Sequence, residues 1–243
     1  MKKLALTLIA ALISGSAIAK DTVVVAGATS KSGRAIVTQL VAAGYTVRAL
    51  SRNPEKSKDL GAGVEVVMAD VTKPETLPAA MKGAQYLLST VGAVPFGADV
   101  PEQIDYQGVA VMADAAKAAG VKQIIHMTSV GSGSENPNDP LNKMFKMILM
   151  WKGKGEEHIR KSGVPFTIVR PGGLEDCDAG KTGLLVGHMD GPRAGRVCRA
   201  DGAAVMVAAI NNKEYFGKTI SVIKDEAAPV DAWRKQVEAI AKD

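Results

Sequence analysis

The chain contains few aromatic residues and few cysteines. Phenylalanine, tyrosine and tryptophan together make up 4% of its 243 residues, which leaves few rings to stack on the bases of a nucleic acid. Two cysteines cannot build a disulfide scaffold or a four-cysteine zinc site. These shortages exclude a base-stacking nucleic-acid binder, a knottin-like scaffold and a zinc finger.

The sequence also lacks a block of like charge and, beyond its first residues, a long apolar run. Its formal net charge is +5, and basic and acidic side chains are interspersed along the chain. We therefore expect a mixed, solvated surface and no nucleic-acid partner. No later apolar stretch reaches the roughly 18 residues that a membrane span requires. The 47% of hydrophobic residues can fill the core of one large domain.

The first 19 residues have the composition of an export signal. Lys2 and Lys3 precede an apolar stretch over 4–13, and Ala17 and Ala19 form a cleavage site of the A-x-A type. We predict a signal peptide over 1–19 and a single domain over 20–243 that is periplasmic or secreted. An organelle lumen and tethering by an uncleaved signal are the alternatives.

Export would place the two cysteines, Cys177 and Cys198, in an oxidising compartment. Their spacing permits a disulfide but does not require one, because the two Cα atoms must approach within about 7 Å. We expect two unpaired, buried thiols.

From residue 22 onward, short β-branched runs alternate with helical stretches. The predicted strands span 22–26, 46–50, 64–68, 85–90, 122–129, 165–170 and 218–223. This alternation predicts an α/β fold, a Rossmann-like doubly wound, mostly parallel sheet with helices on both faces. One helix is expected over 101–119 and another over 141–161, the latter interrupted at Gly153 and Gly155. An irregular segment over 171–195 is expected to cover the sheet edge.

The segment GATSKSG at 27–33 directly follows the first strand and opens the first helix. In such a turn small residues let the backbone approach a pyrophosphate, and the helix N-terminus supplies free amides and the positive end of its dipole. We therefore predict dinucleotide binding through Gly27, Thr29, Ser30, Lys31 and Gly33. The alternative is a glycine turn that serves only helix–sheet packing.

The end of the second strand bears on the choice of cofactor. Arg52 follows this strand, and no acidic residue is present there to bind a ribose 2′-hydroxyl. A guanidinium pairs well with a 2′-phosphate, and Lys31 adds a second positive charge. We expect NADP(H) rather than NAD(H). The alternative for Arg52 is a solvated surface position.

Three further segments carry a family resemblance together with the glycine loop. They are VRALSRNPEK at 47–56, IIHMTSVGSG at 124–133 and SGVPFTIVRPGGL at 162–174. Together these motifs resemble the atypical short-chain dehydrogenase/reductase family, in its NAD(P)H-binding, NmrA-like group. The resemblance extends over about residues 21–225.

The resemblance implies roles for residues at the ends of the middle strands. Asp70 and Val71 should bracket the adenine of the cofactor. Thr90, Val91 and Gly92 should line the ribose next to the nicotinamide.

It also implies roles at the nicotinamide end. Ser129 should sit beside the nicotinamide, and the alternative is a serine that caps the strand end. Arg170 should begin a turn that closes over the ring. Lys152 should bind the ribose hydroxyls, and the alternative is a surface lysine.

The chain departs from the family at two places. Members usually carry a further glycine in this loop, at the position of Ser30 in the atypical group or of Lys31 in the larger family. A side chain there crowds the pyrophosphate, although the Ser30 hydroxyl could donate a compensating hydrogen bond. Catalytic members carry a tyrosine four residues before the lysine, but Ile148 holds that position before Lys152. The usual proton donor is therefore absent.

Two functions are compatible with the sequence. The first is an NADP(H)-dependent oxidoreductase that reduces a small, conjugated or aromatic acceptor, with Ser129 and Lys152 as catalytic residues and solvent as the proton source. The second, favoured by the missing tyrosine, is a non-catalytic nucleotide-binding redox sensor or assembly factor. His126 is expected to be a hydrogen-bonded core histidine, and no metal site is expected.

Overall fold

The computed structural model describes residues 21–94, 96–191 and 194–243, so the predicted signal peptide lies outside the described residues. The strands are β1 (Thr22–Ala26), β2 (Thr46–Ser51), β3 (Val64–Met68), β4 (Tyr86–Ser89), β5 (Gln123–Met127), β6 (Phe166–Pro171), β7 (Gly173–Glu175), β8 (Gly183–His188), β9 (Arg196–Cys198) and β10 (Lys218–Asp225). The helices are α1 (Lys31–Ala42), α2 (Leu77–Met81), α3 (Val109–Ala118), α4 (Pro140–Met144), α5 (Ile148–Lys161), α6 (Arg199–Ala208) and α7 (Trp233–Ala239). Among these helices, none has the length and apolar composition needed to cross a bilayer.

An eight-stranded sheet has the order β3-β2-β1-β4-β5-β6-β10-β8. Its neighbouring strands are parallel except for β10 and β8, which are antiparallel. The chain builds outward from β1 to β3 and then returns to place β4 on the other side of β1. Sheets of this kind bind ligands at the carboxyl ends of the two strands where the direction of winding changes. The predicted Rossmann-like, doubly wound, mostly parallel fold is confirmed.

Two apolar cores lie on opposite faces of the sheet. Val23 and Val25 of β1 pack into a core with α1, α6 and α7, whereas Val24 packs into a core with α2, α3 and α5. This division follows from the strand itself, because successive side chains point to opposite faces. All three valines are fully buried, and each contributes about 1.5–3 kcal/mol relative to an exposed side chain. Burial on both faces fixes the end of β1, from which the glycine loop leaves.

The helix predicted over 141–161 is two helices. α4 ends at Met144, and Lys146 and Met147 then adopt positive φ angles of 51° and 61° before α5 begins. Such angles are uncommon outside glycine and redirect the chain sharply. The break therefore precedes Ile148 and sets the direction of the helix that carries Lys152.

Gly153 and Gly155 do not interrupt α5, contrary to the prediction. A Cβ at Gly153 would overlap the backbone of Gly133, and a Cβ at Gly155 would overlap the carbonyl oxygen of Asp105. The two glycines let α5 approach its neighbours closely, and tertiary contacts offset their poor helix propensity.

The segment 171–195, predicted to be irregular, contains two strands. β8 pairs with β10 at the sheet edge, and β7 pairs with β9 in a separate two-stranded sheet. In β8, Leu184 and Val186 are buried while Leu185 is exposed. This alternation is a strand signal, but it is short and flanked by glycines, which is why sequence reasoning missed it.

Cys177 and Cys198 form a disulfide, with their Cα atoms 5.6 Å apart. The expectation of two unpaired thiols is wrong. Pairing of β7 with β9 places Glu175 opposite Cys198, so that Cys177 lies within reach of its partner.

Candidate functional site

The loop between β1 and α1 leaves its backbone open to close approach. Gly27 has a φ of +79°, and a Cβ there would lie 2.6 Å from the Thr90 hydroxyl oxygen. A Cβ at Gly33 would overlap the carbonyl oxygen of Gly27. Both glycines are therefore needed to hold the loop against the end of β4, with the start of α1 directed at the crevice between β1 and β4.

Ser30 caps α1. Its Oγ accepts a hydrogen bond from the Gly33 amide at 2.9 Å and lies 3.1 Å from Thr90 Oγ1. A side-chain cap of this kind typically stabilises a helix by about 1 kcal/mol. The hydroxyl therefore has a structural role that the sequence comparison with the family did not show.

Two cavities lie at the carboxyl ends of the parallel strands. The first has a volume of about 290 Å³ and the second about 320 Å³. Both are lined by Ser30, Thr90, Val91 and Gly92, so together they form one groove that crosses the ends of β1 and β4.

Most of the predicted cofactor and catalytic residues line this groove. Those in the first cavity are Gly27, Thr29, Ser30, Arg52, Val71, Thr90, Val91 and Gly92. Those in the second cavity include Lys31, Ser129 and Lys152. The expectation that Lys31 shares a 2′-phosphate pocket with Arg52 is therefore wrong, because Lys31 lines the other cavity and pairs with Asp176. Gly33 lines neither cavity and supports the loop from within α1.

Asp70 and Arg170 also line neither cavity. The Asp70 carboxylate accepts hydrogen bonds from the amide and the hydroxyl of Thr72, at 2.9 and 2.8 Å, and stabilises the turn after β3. The Arg170 guanidinium binds the buried Glu156 through Nε–Oε1 at 3.0 Å and Nη2–Oε2 at 2.5 Å. The resemblance implies cofactor contacts for both residues; in the structure their side chains take part in local turn hydrogen bonds and in a buried ion pair.

The far end of the first cavity carries two cations. Arg52 follows β2, and Lys56 lies in the 3-10 helix Pro54–Ser57. Asp99 also lines this cavity, with its Oδ1 3.8 Å from Arg52 Nη1. Sequence reasoning missed Lys56, although its position four residues after Arg52 was a usable signal.

A buried carboxylate holds Lys152. The Lys152 Nζ donates to Asp105 Oδ1 at 2.5 Å, and the side chains of Lys152 and Asp105 are 13% and 1% exposed, respectively. Asp105 Oδ2 also accepts a hydrogen bond from the Ala93 amide at 3.1 Å. A Cβ at Gly92 would lie 2.9 Å from Lys152 Nζ, so glycine there leaves room for the ion pair. Asp105 thus ties α5 to the loop after β4 through charge-assisted hydrogen bonds.

Asp105 comes from the π-helix Glu102–Gly108, which precedes α3. The prediction was an uninterrupted helix over 101–119, and it did not single out Asp105. Nothing in the residue pattern distinguishes a π-helix from an α-helix, although π-helical turns are frequent at functional sites.

Ile148 and Lys152 both line the second cavity, one helical turn apart on α5. This is the arrangement that the family's tyrosine and lysine require, with an apolar side chain in place of the phenol. Phe145 and Leu149 extend the same apolar wall. Ser129 also lines the cavity, and its Oγ donates to the Val130 carbonyl at 3.1 Å.

His126 is buried in β5. Its Nδ1 has no hydrogen-bond partner among the described residues. Burial, and secondarily the charge of Lys152, lowers the pKa of His126 to about 3, against a hydrogen bond to the Ser89 backbone that acts in the opposite direction. His126 is therefore a neutral core histidine.

We expect acid to destabilise the protein through His126. Because its native pKa of about 3 lies below the usual 6.5, the unfolded chain gains a proton that the native state does not bind. Stability should fall as the pH drops through this interval, by about 1.4 kcal/mol per pH unit from this group. Urea unfolding between about pH 6 and pH 4 checks this, and His126→Gln should lose this part of the slope. Equal slopes in the two proteins would contradict the assignment.

The NAD(P)H-binding family matches residues 27–213. An uncharacterized chloroplast protein of Arabidopsis thaliana is 34% identical over 225 residues, covering 83% of this chain and 69% of that protein. Sanguinarine reductase of Eschscholzia californica is 31% identical over 244 residues, covering 84% and 89%. A photosystem II assembly factor of Trieres chinensis is 32% identical over 149 residues, covering 61% and 44%.

A solved structure shares both fold and sequence with the chain. An anaerobilin reductase of Escherichia coli O157:H7 superposes with a TM-score of 0.68 at 25% identity, over 86% of this chain and 99% of that chain. The family match begins at Gly27, the first residue of the loop at the mouth of the groove. The chain therefore belongs to the NAD(P)H-binding, NmrA-like group of atypical short-chain dehydrogenases/reductases.

Proposed function

We propose that this protein is an NADP(H)-dependent oxidoreductase that transfers a hydride to a small conjugated or aromatic acceptor. The observation that carries the proposal is the groove across the ends of β1 and β4. Arg52 and Lys56 lie in its first cavity, and Lys152 lies in its second. A dinucleotide laid along this groove would meet a phosphate-binding group at one end and a ribose-binding group at the other.

The first cavity fits the adenosine half of the cofactor. Gly27 and the start of α1 would hold the pyrophosphate, because amide groups at a helix N-terminus bind anions. Arg52 and Lys56 would hold the ribose 2′-phosphate. Asp99 approaches one nitrogen of Arg52 only to 3.8 Å, so the remaining N–H groups of the guanidinium are left to bind phosphate.

Arg52→Ala should weaken NADPH binding by roughly 10- to 100-fold and leave NADH binding nearly unchanged. The reason is that only NADPH carries the 2′-phosphate, and a hydrogen-bonded charge pair contributes about 1.5–3 kcal/mol. Calorimetric titration with both nucleotides measures the effect. Lys58→Ala is the matched control, because Lys58 is an exposed cation that pairs with Glu55 outside the cavity. Equal weakening of both nucleotides would contradict the NADP(H) preference.

The second cavity fits the nicotinamide half and the acceptor. The bound nicotinamide supplies the hydride. Lys152 would hold the ribose hydroxyls, and Asp105 would orient its ammonium. Ser129, which follows β5, would lie beside the nicotinamide ring. Ile148 offers no proton. An acceptor that takes a hydride at a conjugated carbon and a proton from solvent therefore suits the site better than a simple carbonyl.

Aromatic side chains line a cavity next to the proposed acceptor site. An adjoining cavity of about 220 Å³ is lined by Phe96, Met144, Phe145 and Ile148. The rings of Phe96 and Phe145 meet edge to face with centroids 4.9 Å apart. Such a surface favours a flat, apolar acceptor, and the relatives named as reductases support the class of reaction.

NADPH oxidation in the presence of quinones, flavins and bilins tests the reaction. Turnover with at least one of these acceptors is the expected result. A protein that binds NADPH and turns over none of them would favour the second candidate, a non-catalytic redox sensor or assembly factor. That candidate is supported by Ile148 and by the relative named as an assembly factor.

The compartment is part of the proposal. We propose export through the segment 1–19, with an organelle lumen as the alternative that the chloroplast relative supports. A disulfide between Cys177 and Cys198 is compatible with either compartment. Mass determination of the purified mature protein, which should begin at Lys20, distinguishes cleavage from tethering.

A further inference from the structure

We propose that the Cys177–Cys198 disulfide is a redox-modifiable site, and that its reduction by a dithiol weakens nucleotide binding. The inference rests on the proposed position of the nucleotide along the glycine loop. Its basis is a juxtaposition, since each cysteine adjoins a charged residue whose side chain contacts the first residues of α1.

Asp176, the residue before Cys177, bridges two cations. Its Oδ2 lies 2.5 Å from Lys31 Nζ, and its Oδ1 lies 2.8 Å from Arg199 Nε. Hydrogen bonds from Lys31 and then Arg199 lower the pKa of Asp176 to about 2, so the carboxylate is charged at neutral pH. Asp176 therefore holds both cations at one side of the second cavity, which they line.

Arg199, the residue after Cys198, makes the second contact. Its Nη1 donates to Ser32 Oγ at 3.2 Å. Lys31 and Ser32 are the first two residues of α1. Asp176 and Arg199 therefore both contact the start of the helix that follows the glycine loop. Opening the disulfide can therefore affect the proposed phosphate site through the side chains of Asp176 and Arg199, which contact both the disulfide segment and α1.

Besides the disulfide, the segment that carries Asp176 is held by side-chain contacts and by no strand or helix pairing of its own among the described residues. The pairing of β7 with β9 ends at Glu175, and residues 176–182 form neither helix nor strand. The next anchor of this segment is the Gly180 amide, which donates to Asp201 Oδ1 at 2.7 Å. Opening the disulfide would leave Asp176 between these two anchors, held in place only by its exposed ion pairs with Lys31 and Arg199.

The disulfide is open to a reductant. Cys177 is exposed, and both cysteines line a surface cavity of about 430 Å³ that has no lining residue in common with the two cavities of the groove. A small dithiol can therefore attack Cys177 Sγ without entering the nucleotide site. Cys198 would leave as a thiolate at the N-cap of α6, where the partial positive charge of the helix end stabilises it.

The exchange balances with the dithiol as the only co-reactant. One thiolate of the dithiol bonds to Cys177 Sγ as the S–S bond breaks, and Cys198 takes up a proton. The second thiol of the reagent then displaces Cys177, which takes up a second proton, and the reagent becomes a disulfide. Two electrons and two protons pass from the reagent to the protein.

Reduction should raise the Kd for NADPH by about two- to five-fold. Lys31 and Arg199 would lose the carboxylate that keeps them ordered beside the loop, and ordering them on binding costs side-chain entropy. The effect is modest because Lys31 and Asp176 are 71% and 58% exposed, and exposed ion pairs contribute little.

The experiment is an NADPH titration of the oxidised protein, of the protein reduced with dithiothreitol and of the double variant Cys177→Ser/Cys198→Ser. A thiol assay confirms the redox state, and circular dichroism confirms the fold. The reduced protein and the double variant should show the same raised Kd. In Asp176→Asn the Kd should be raised already and should not respond to reduction. Glu175→Gln, which alters the neighbouring carboxylate paired with Arg196, should keep the response.

Each other outcome has a definite meaning. An equal or lower Kd in the reduced, folded protein overturns the inference and leaves the proposed function intact. Loss of the fold on reduction also overturns it, because the disulfide is then a structural cross-link. Failure of the oxidised protein to bind NADPH overturns the proposed function, and the inference with it.

Discussion

Replacing Glu156 by alanine should lower the free energy of unfolding by about 3–5 kcal/mol. Glu156 is fully buried in α5, and its carboxylate accepts hydrogen bonds from Arg170, from Arg160 at 3.1 Å and from the Thr128 hydroxyl at 2.6 Å. Removing it leaves the Arg170 guanidinium, whose side chain is 8% exposed, without its counter-charge. A buried charge without a partner is among the most destabilising consequences of a single substitution.

Urea unfolding at neutral pH measures this loss. Glu157→Ala is the matched control, because Glu157 is the next residue of α5 but is exposed and pairs only with Lys161 on its own helix, among the described residues. The control should leave the unfolding midpoint unchanged. Similar losses in the two variants would show that helix propensity, and not the buried ion pair, determines the effect.

Lys152→Met should reduce turnover by about 100-fold or more while the protein stays folded. Methionine keeps the length of the stem but removes the ammonium that would hold the nicotinamide ribose, and misplacing a reacting group by about 1 Å costs a factor of this size. The substitution also leaves the Asp105 carboxylate, which is 1% exposed, without its counter-charge, so some loss of stability is expected as well.

Two further variants separate the catalytic effect from the loss of stability. Lys154→Met, two residues along α5, alters a lysine that lies 4.5 Å from the centroid of the Trp151 ring, and it should keep full turnover. The double variant Lys152→Met/Asp105→Asn should regain stability without regaining turnover, because it removes both charges of the pair. Normal turnover in folded Lys152→Met would exclude Lys152 from the reaction.

The parts of the site that the sequence predicted well are local in the chain. β1, the glycine loop and the start of α1 follow one another directly, so a valine run, a loop of small residues and a helix pattern were sufficient to predict them. The positions of Ile148 and Lys152 on one side of α5 also followed from helical spacing alone. In both cases the residues that interact are within a few positions of each other.

The parts that were missed depend on contacts between distant segments. Asp105 meets Lys152 across 47 positions, and only the close approach of α5 to the π-helix, allowed by Gly155, brings them together. The cysteines pair because β7 meets β9, two strands too short to give a clear pattern. Arg170 of β6 pairs with Glu156 of α5, a contact that the sequence around Arg170 does not predict.

The close packing of α5 has a consequence for how the activity of such a protein can change. Gly153 and Gly155 fix the helix by contact of its backbone with neighbouring backbone, independently of the side chain at Ile148. Under the proposed function, a substitution at Ile148 would therefore change which acceptors are reduced while Lys152 keeps its position. Ile148→Tyr would place a phenol one turn from that lysine, so the scaffold retains the position of a carbonyl reductase's proton donor. Reduction of a conjugated acceptor and reduction of a simple carbonyl would then differ by the single substitution Ile148→Tyr.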